Sequence, residues 1–390
     1  MVEAGADPSN ATTEKTLGIT AAELRDAKSL NLREKDLRPE DAIALAAKLL
    51  ESTNLTEIDL ARNYICAPKP PPPVDFKIQW KRKGRVDIPE VEPRVEPFSA
   101  SFVGEGVAAL IDAFSKLGGL TSLDLSSNGI SSLKAVDAIG RLPSGLRSLN
   151  LANNQMNANS AAVLTEALAK MPKLSALDLS ENNLCTSGLA VNEWASDSHA
   201  VIKLAAALPS TSLASLKLAG NHIGKHGQSG ILALADAFSK MPSLTEVDLA
   251  DNYIGRQGPE DVTALFDAFT QLPKLRVLSL ASNQLCAVNH FGDGEWSDAA
   301  VAALCARLPR TALTHLDLGY NSLSGASAHR PRRERTGAAV RALCEAIGAT
   351  QLEELSLHGN EIDEVALDAI RAARAGVRLL VDDDAYSAVA

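Results

Sequence analysis

Aromatic side chains are nearly missing from this sequence: they make up 4% of it, against 46% for hydrophobic residues as a whole. Burial therefore has to come from Leu, Ala, Val and Ile. Cysteine is scarce too, five residues spread over 390, which excludes a disulfide framework and suits free thiols in a reducing compartment. An excess of basic charge is also absent. The 38 Lys and Arg stand against 48 Asp and Glu, a net charge of −10. That balance disfavours nucleic acid as a general partner and suits solubility or basic partners. No run approaches the ~18 apolar residues of a membrane span. The opening "MVEAGADPSNATTEKTLGIT" (1–20) lacks the basic start and apolar stretch of a signal peptide and reads as a flexible lead-in. A cytoplasmic protein is expected, with the nucleus and the cilium also open, and not a secreted one.

What is present is a repeat. "LTSLDLSSNGI" (120–130), "LRSLNLANNQM" (146–156), "LSALDLSENNL" (174–184) and "LASLKLAGNHI" (213–223) share one template. It continues in "LTEVDLADNYI" (244–254), "LRVLSLASNQL" (275–285), "LTHLDLGYNSL" (313–323) and "LEELSLHGNEI" (352–362). Two earlier copies are "AKSLNLREKDL" (27–37), where Lys35 replaces the Asn, and "LTEIDLARNYI" (55–65). "VRLLVD" (377–382) reads as a capping strand. Between copies the apolar spacing changes to that of a helix. Val107, Leu110, Ile111, Phe114 and Leu117 fall on one face, as do Val262, Leu265, Phe266, Phe269 and Leu272. Prolines 143, 172, 209, 242, 273 and 309 close the helices before the next strand. The strand Leu residues point inward, the Asn can satisfy backbone groups at the tight turn, and one unit cannot bury its own face alone.

The motif LxxLxLxxNxI, recurring over residues 27–382, resembles the leucine-rich repeat. The 28-residue step from Leu30 to Ile58, and again from Leu149 to Leu177, resembles its ribonuclease-inhibitor-like subfamily. The resemblance implies an α/β solenoid, a horseshoe with parallel strands on the concave face and helices on the convex face. Residues 21–390 are expected to form this single domain, about ten repeats plus a C-terminal cap.

Four steps are longer than one repeat. Leu60 to Leu125 is 65 residues, Leu179 to Leu218 is 39, Leu280 to Leu318 is 38, and Leu318 to Leu357 is 39. Each excess falls after N-x-I/L and before the helix, so all should leave from the edge where the strands end. The longest, 66–103, contains "VDFKIQWKRKGRVDI" (74–88). There Phe76, Ile78 and Trp80 alternate with polar residues before the basic turn Lys81, Arg82, Lys83 and Arg85. That is a β-hairpin-like pattern, and its apolar stripe must either lie against the solenoid or await a partner. Trp194 and Trp296 lie in two other insertions, where each could pin its own loop or anchor a partner.

The strand residues that alternate with Leu define the concave face. One column includes Asp59, Asp124, Asp178, Asp248 and Asp317. It could draw in a basic segment or serve solubility and local hydrogen bonds. A second charged feature is the loop "HRPRRER" (329–335), with Arg330, Arg332, Arg333 and Arg335, which could meet RNA or an acidic partner. No catalytic constellation, cofactor motif or metal-ligand set stands out. "GKHGQSG" (224–230) lacks the order of a phosphate loop, and His222 and His226 lack a third ligand. Cys66, Cys185 and Cys286, three repeats apart, stand about 14 Å from one another at ~4.8 Å per strand, too far to share a bond or a metal.

The expected function is therefore a non-catalytic protein-interaction module or scaffold subunit, docking through the edge insertions, with proteins as partners and no cofactor. One enzyme-related alternative is the Ran-type GTPase-activating protein, a family of similar repeats in which an Arg after N-x-I-G is functional. Here that motif occurs late, at Arg256 in "NYIGRQG", and the early loop "NYICAPKPPPP" has Cys66 at the Gly position.

Overall fold

The computed structural model of the chain describes residues 21–52, 54–66, 104–185, 198–225, 227–288, 295–324 and 338–382. Eleven three-residue strands lie side by side in sequence order in one sheet. They are β1 (Ser29–Asn31), β2 (Glu57–Asp59), β3 (Ser122–Asp124), β4 (Ser148–Asn150), β5 (Ala176–Asp178) and β6 (Ser215–Lys217). There follow β7 (Glu246–Asp248), β8 (Val277–Ser279), β9 (His315–Asp317), β10 (Glu354–Ser356) and β11 (Arg378–Leu380). Every neighbouring pair is parallel and in register, so Leu30 faces Ile58, Ile58 faces Leu123, and Leu123 faces Leu149. The open leucine-rich solenoid expected from the repeat is what forms, and "VRLLVD" supplies its last strand, β11 against β10.

The period-two rule decides which face is buried. In β1 to β10 the middle residue is buried, and its two neighbours are not. A helix packs behind most strands. Helix Glu105–Phe114 buries Val107, Leu110, Ile111 and Phe114, and helix Pro259–Phe269 buries Val262, Leu265, Phe266 and Phe269. The few aromatic core residues are concentrated here. Phe238 stacks on Phe269 at 5.8 Å, and Phe266 meets Phe269 edge-on at 5.6 Å.

The turn after each strand from β2 to β10 is closed by a buried asparagine. Asn154 is typical. Its Nδ2 donates to the carbonyls of Leu151 (2.9 Å) and Ala152 (3.3 Å) in its own repeat, and of Leu125 (3.0 Å) in the one before. Its Oδ1 accepts from the amides of Asn128 (2.9 Å) and Ile130 (3.1 Å). Asn63, Asn182, Asn252, Asn283, Asn321 and Asn360 make the same crossed set, Asn63 reaching the Lys35 and Leu37 amides of the first repeat. A single side chain thus serves its own turn and the previous repeat's loop.

One buried carboxyl has no such role. Asp261, in the first turn of helix Pro259–Phe269, is wholly buried, and neither of its oxygens has a hydrogen-bond partner. The matching positions of five other helices hold Gly106, Ser160, Gly230, Ala300 and Ala339. Helix Pro39–Leu49, by contrast, opens with the same Pro-Glu-Asp, and its Asp41 is half-buried and accepts from the Arg38 amide at 2.9 Å. Desolvation, helped by neighbouring Glu260, pushes the Asp261 carboxyl up from 3.8 to about 7.

Two predictions follow from these buried groups. Replacing Asn252 by Ala strands several buried backbone groups in two repeats at once, and should cost about 3–5 kcal/mol of unfolding free energy in denaturant melts. Asp261 holds its proton in the fold over a range where the unfolded chain has lost it. Stability should therefore fall as pH rises from about 4 to about 7 and level off above. Asp261→Ala should remove this slope, gaining about 2–4 kcal/mol at pH 8 and almost nothing at pH 4, measured by melts across that range.

Candidate functional site

The free face of the sheet carries the acidic column foreseen from the sequence, but its carboxylates are not idle. Asp59, Asp124, Asp178, Asp248 and Asp317 each turn Oδ1 onto the backbone amide two residues on, at 2.9 to 3.0 Å. Asn31 and Asn150 use the same bond, to the amides of Arg33 and Ala152. Several of the second oxygens are engaged as well. Arg33 spans Asp59 (2.9 Å) and Asp124 (3.1 Å), Asn150 donates to Asp124 at 3.1 Å, and Ser279 to Asp317 at 3.3 Å. The Asp59 bond and the nearby carboxylates raise the Arg33 guanidinium above its usual value.

In the middle of the face Lys217 replaces the acid. It pairs with Glu246 at 3.0 Å, and that bond and the adjoining Asp178 and Asp248 raise its ammonium. Glu246 also accepts from Ser215 at 2.8 Å, and its carboxyl sits below the usual value. Burial acts the other way on Asp248 and raises it. Around Lys217, with Ala176, Asp178 and Ser148, lies an open depression of about 230 Å³. The column is thus a set of turn-capping carboxylates with local counter-charges. Towards the last repeats Val277 and Tyr320 are exposed, and Glu354 of β10 pairs with Arg378 of β11 at 3.1 Å.

At the strand C-terminal edge, the 66–103 insertion leaves and returns at one point. Cys66 lies beside the Gly104 backbone and the Ser132 side chain, which partly offset the effect of burial on its thiol. Gly106 sits so close that an added Cβ would lie 2.7 Å from the Ile65 carbonyl oxygen. In repeat 8 the Ser297 amide donates to the Cys286 carbonyl at 3.0 Å, closing that insertion in the same way. Trp296 is half-buried against the core, and its indole N–H donates to the Ser322 carbonyl (3.1 Å) of the next repeat. Its polar end is spent on its own protein, which suits the loop-pinning alternative. Phe76, Ile78, Trp80, Lys81, Arg82, Lys83, Arg85, Trp194, Arg330, Arg332, Arg333 and Arg335 lie outside the described residues, as do residues 1–20 and His226.

Two features of this edge have only faint sequence signals. First, "NYIC" and "NNLC" turn differently from "NQLC" despite their likeness. Tyr64 and Asn183 donate back to the carbonyls of Leu37 (2.8 Å) and Met156 (2.7 Å). The Oδ1 atoms of the next asparagines, Asn128 and Asn221, are then buried without a partner. In repeat 8 Gln284 keeps a positive φ of 55°, and Asn321 receives its usual two amides. Second, repeats 6 and 7 stack His222 on Tyr253, ring centres 5.6 Å apart, with the Arg256 guanidinium 5.8 Å from the Tyr253 ring centre. Burial, then Lys225, hold the His222 imidazole below its usual value, against the opposing pull of Asp251 and Glu181.

The cysteines are buried, except Cys344, which is half-buried against the core. Burial pushes the Cys66 thiol up to about 11 and those of Cys286 and Cys305 to about 12. Such thiols stay protonated and poorly nucleophilic at neutral pH.

A family model described as Leucine Rich repeat matches residues 120–133. No curated protein matches the chain. Among solved structures, the leucine-rich repeat-containing protein LegL7 from Legionella pneumophila is 22% identical, with 70% of this chain and 87% of that one covered and a TM-score of 0.41. A TLR13–ssRNA13 complex is 17% identical, with 92% of this chain and 47% of that one covered and a TM-score of 0.36. The matched repeat model, the ten motif copies and the in-register parallel sheet with its buried asparagines give this chain the fold of a leucine-rich repeat solenoid.

Proposed function

We propose that this protein is a non-catalytic interaction module, a scaffold subunit that docks a partner protein through the insertions on its strand C-terminal edge. The observation that carries the reading is the meeting of the arm's two ends, Cys66 against Gly104 and Ile65 against Gly106. A 37-residue excursion (67–103) from a closed point does not interrupt the solenoid, since β2 and β3 pair as if it were absent. The solenoid has no use for so long a segment in linking two adjacent strands. Its Phe76, Ile78 and Trp80 supply the apolar and aromatic contacts on which protein interfaces depend.

The acidic column supports the same choice from the other side. Its carboxylates hold backbone amides, and a partner that took them over would have to replace those bonds. Among the described residues no helix is long and apolar enough to cross a membrane. A cytoplasmic assembly is the setting that the composition fits best.

The test replaces residues 67–103 by a short loop, which the closed ends should accept with an unchanged melting curve. Affinity capture from the native source then compares the two chains. Loss of a defined, reproducible set of partners is the expected result, and full retention of that set would sink the arm as the docking element. In parallel, stimulated GTP hydrolysis that disappears in Arg256→Ala would replace the scaffold reading by the GTPase-activating one.

A further inference from the structure

Repeats 6 and 7 carry none of the four long insertions, their steps of 31 residues exceeding the 28-residue repeat by three, yet their loops share a feature that the other eight repeats lack. Four residues beyond the asparagine stand Lys225 and Arg256, and in no other repeat is that position basic. The residue just after the asparagine is His222 in one loop and Tyr253 in the other. Both hold left-handed backbone, φ 60° and 62°.

The two loops are laid directly on one another. The Gly224 amide donates to the Asn252 carbonyl at 2.7 Å, and a Cβ on Gly224 would come within 2.7 Å of the Tyr253 carbonyl oxygen. Gly255 repeats the arrangement against repeat 8, its amide donating to the Asn283 carbonyl at 2.9 Å. Only glycine permits so close a stacking, so the strand spacing of about 5 Å carries on into the loops. Lys225 and Arg256 consequently occupy equivalent places one repeat apart. The Tyr253 ring has the His222 imidazole 5.6 Å away, tilted at 55°, and the Arg256 guanidinium over it at 5.8 Å.

Among the described residues neither cation is paired with a carboxylate, whereas Arg62, on the same edge, is held by Glu34 at 2.8 Å. Aromatic and arginine side chains on a fixed backbone are also the groups that most often anchor protein interfaces. Asp251 and Glu181 lie close enough to act on His222, and Glu260 follows in the next helix. These acids would repel a long polyanion. They leave room for a short segment whose carboxylates are spaced to match the two cations.

We propose that the loop edge of repeats 6 and 7, with Lys225 and Arg256 at equivalent places one repeat apart and the Arg256 guanidinium over the Tyr253 ring, is a docking patch for a short acidic peptide segment of a partner protein. The proposal rests on the reading of this chain as an interaction module, but not on the 66–103 arm.

The probe is a fluorescent peptide of about twelve residues carrying four Glu in a Gly/Ser background, titrated by anisotropy against the full chain at low salt. Binding is expected although the net charge of −10 opposes it. Because the Arg-rich loop 329–335 could also take an acidic peptide, its loss on removing Lys225 and Arg256 is what assigns it to this patch. Lys225→Ala with Arg256→Ala should weaken it about tenfold or more, and Tyr253→Ala should weaken it less. Tyr253→Phe keeps the ring and should bind as the natural chain does. Lys170→Ala with Lys203→Ala, on the helical side, should change nothing. No binding, an equal loss in the helical pair, or tighter binding of a twelve-nucleotide oligouridylate would each overturn the patch. The chain with 67–103 replaced should bind the peptide unchanged. Failure of the arm therefore leaves this proposal standing, and loss of peptide binding in that chain would overturn it.

Discussion

Everything in this solenoid depends on how the backbone is satisfied where each strand ends. Three residues of strand are too few to close a turn, and the turn is buried between its neighbours, where unpaired amides and carbonyls cannot reach water. The asparagine amide resolves this because it is a donor pair and an acceptor on one short stem. Its donors go to three carbonyls in two repeats, and its oxygen to two amides in the repeat before, as Asn154 and Asn252 show. The repeats are thereby joined in series, each turn incomplete without its neighbour, the nearest-neighbour coupling that governs repeat proteins.

The same constraint explains where the chain tolerates additions. Up to the residue after N-x-I/L, the backbone is committed to the next repeat, and beyond the start of the helix it is committed to the core. Only the short stretch between is free to lengthen. All four long steps fall there, and where the flanks are described around 66–103 and in repeat 8 their ends meet. The accommodation is not free of cost in repeats 2 and 5. Their loops turn back to the preceding repeat and leave Asn128 and Asn221 each with a buried, unpartnered oxygen. Repeat 8 carries the same N-x-L-C ending and avoids it, its loop held by the Ser297 amide and by Trp296 on the following turn.

Charge is organised by this architecture rather than spread over it. On the sheet face the Asp carboxylates cap the turn two residues on, and Arg33 and Lys217 offset them. On the loop edge of repeats 6 and 7 two cations stand in tandem without a carboxylate partner among the described residues. A net count of −10 contains both situations and distinguishes neither. Asp261 is a third case, a carboxyl that, unlike Asp41 at the matching position of an earlier helix, caps no amide, and its neutral form is what the buried site admits.

The sequence by itself determined the architecture, because period and spacing are properties of the chain. Leu at fixed intervals sets the register, the helical stretch between motifs sets the layer behind, and the Asn marks every turn. It also located the insertions and the acidic column. Only the tertiary structure decided what those residues do, because neighbours in the solenoid are about 26 to 65 residues apart in the chain. The pairing of Arg33 with Asp124, 91 residues away, turns an apparent acidic lining into a locally balanced one. The contact of Tyr253 with His222 of the preceding repeat, and the divergence of "NYIC" and "NNLC" from "NQLC", likewise depend on contacts between loops. Those contacts are set by backbone geometry at a glycine or an asparagine of the adjoining repeat, which no single motif contains.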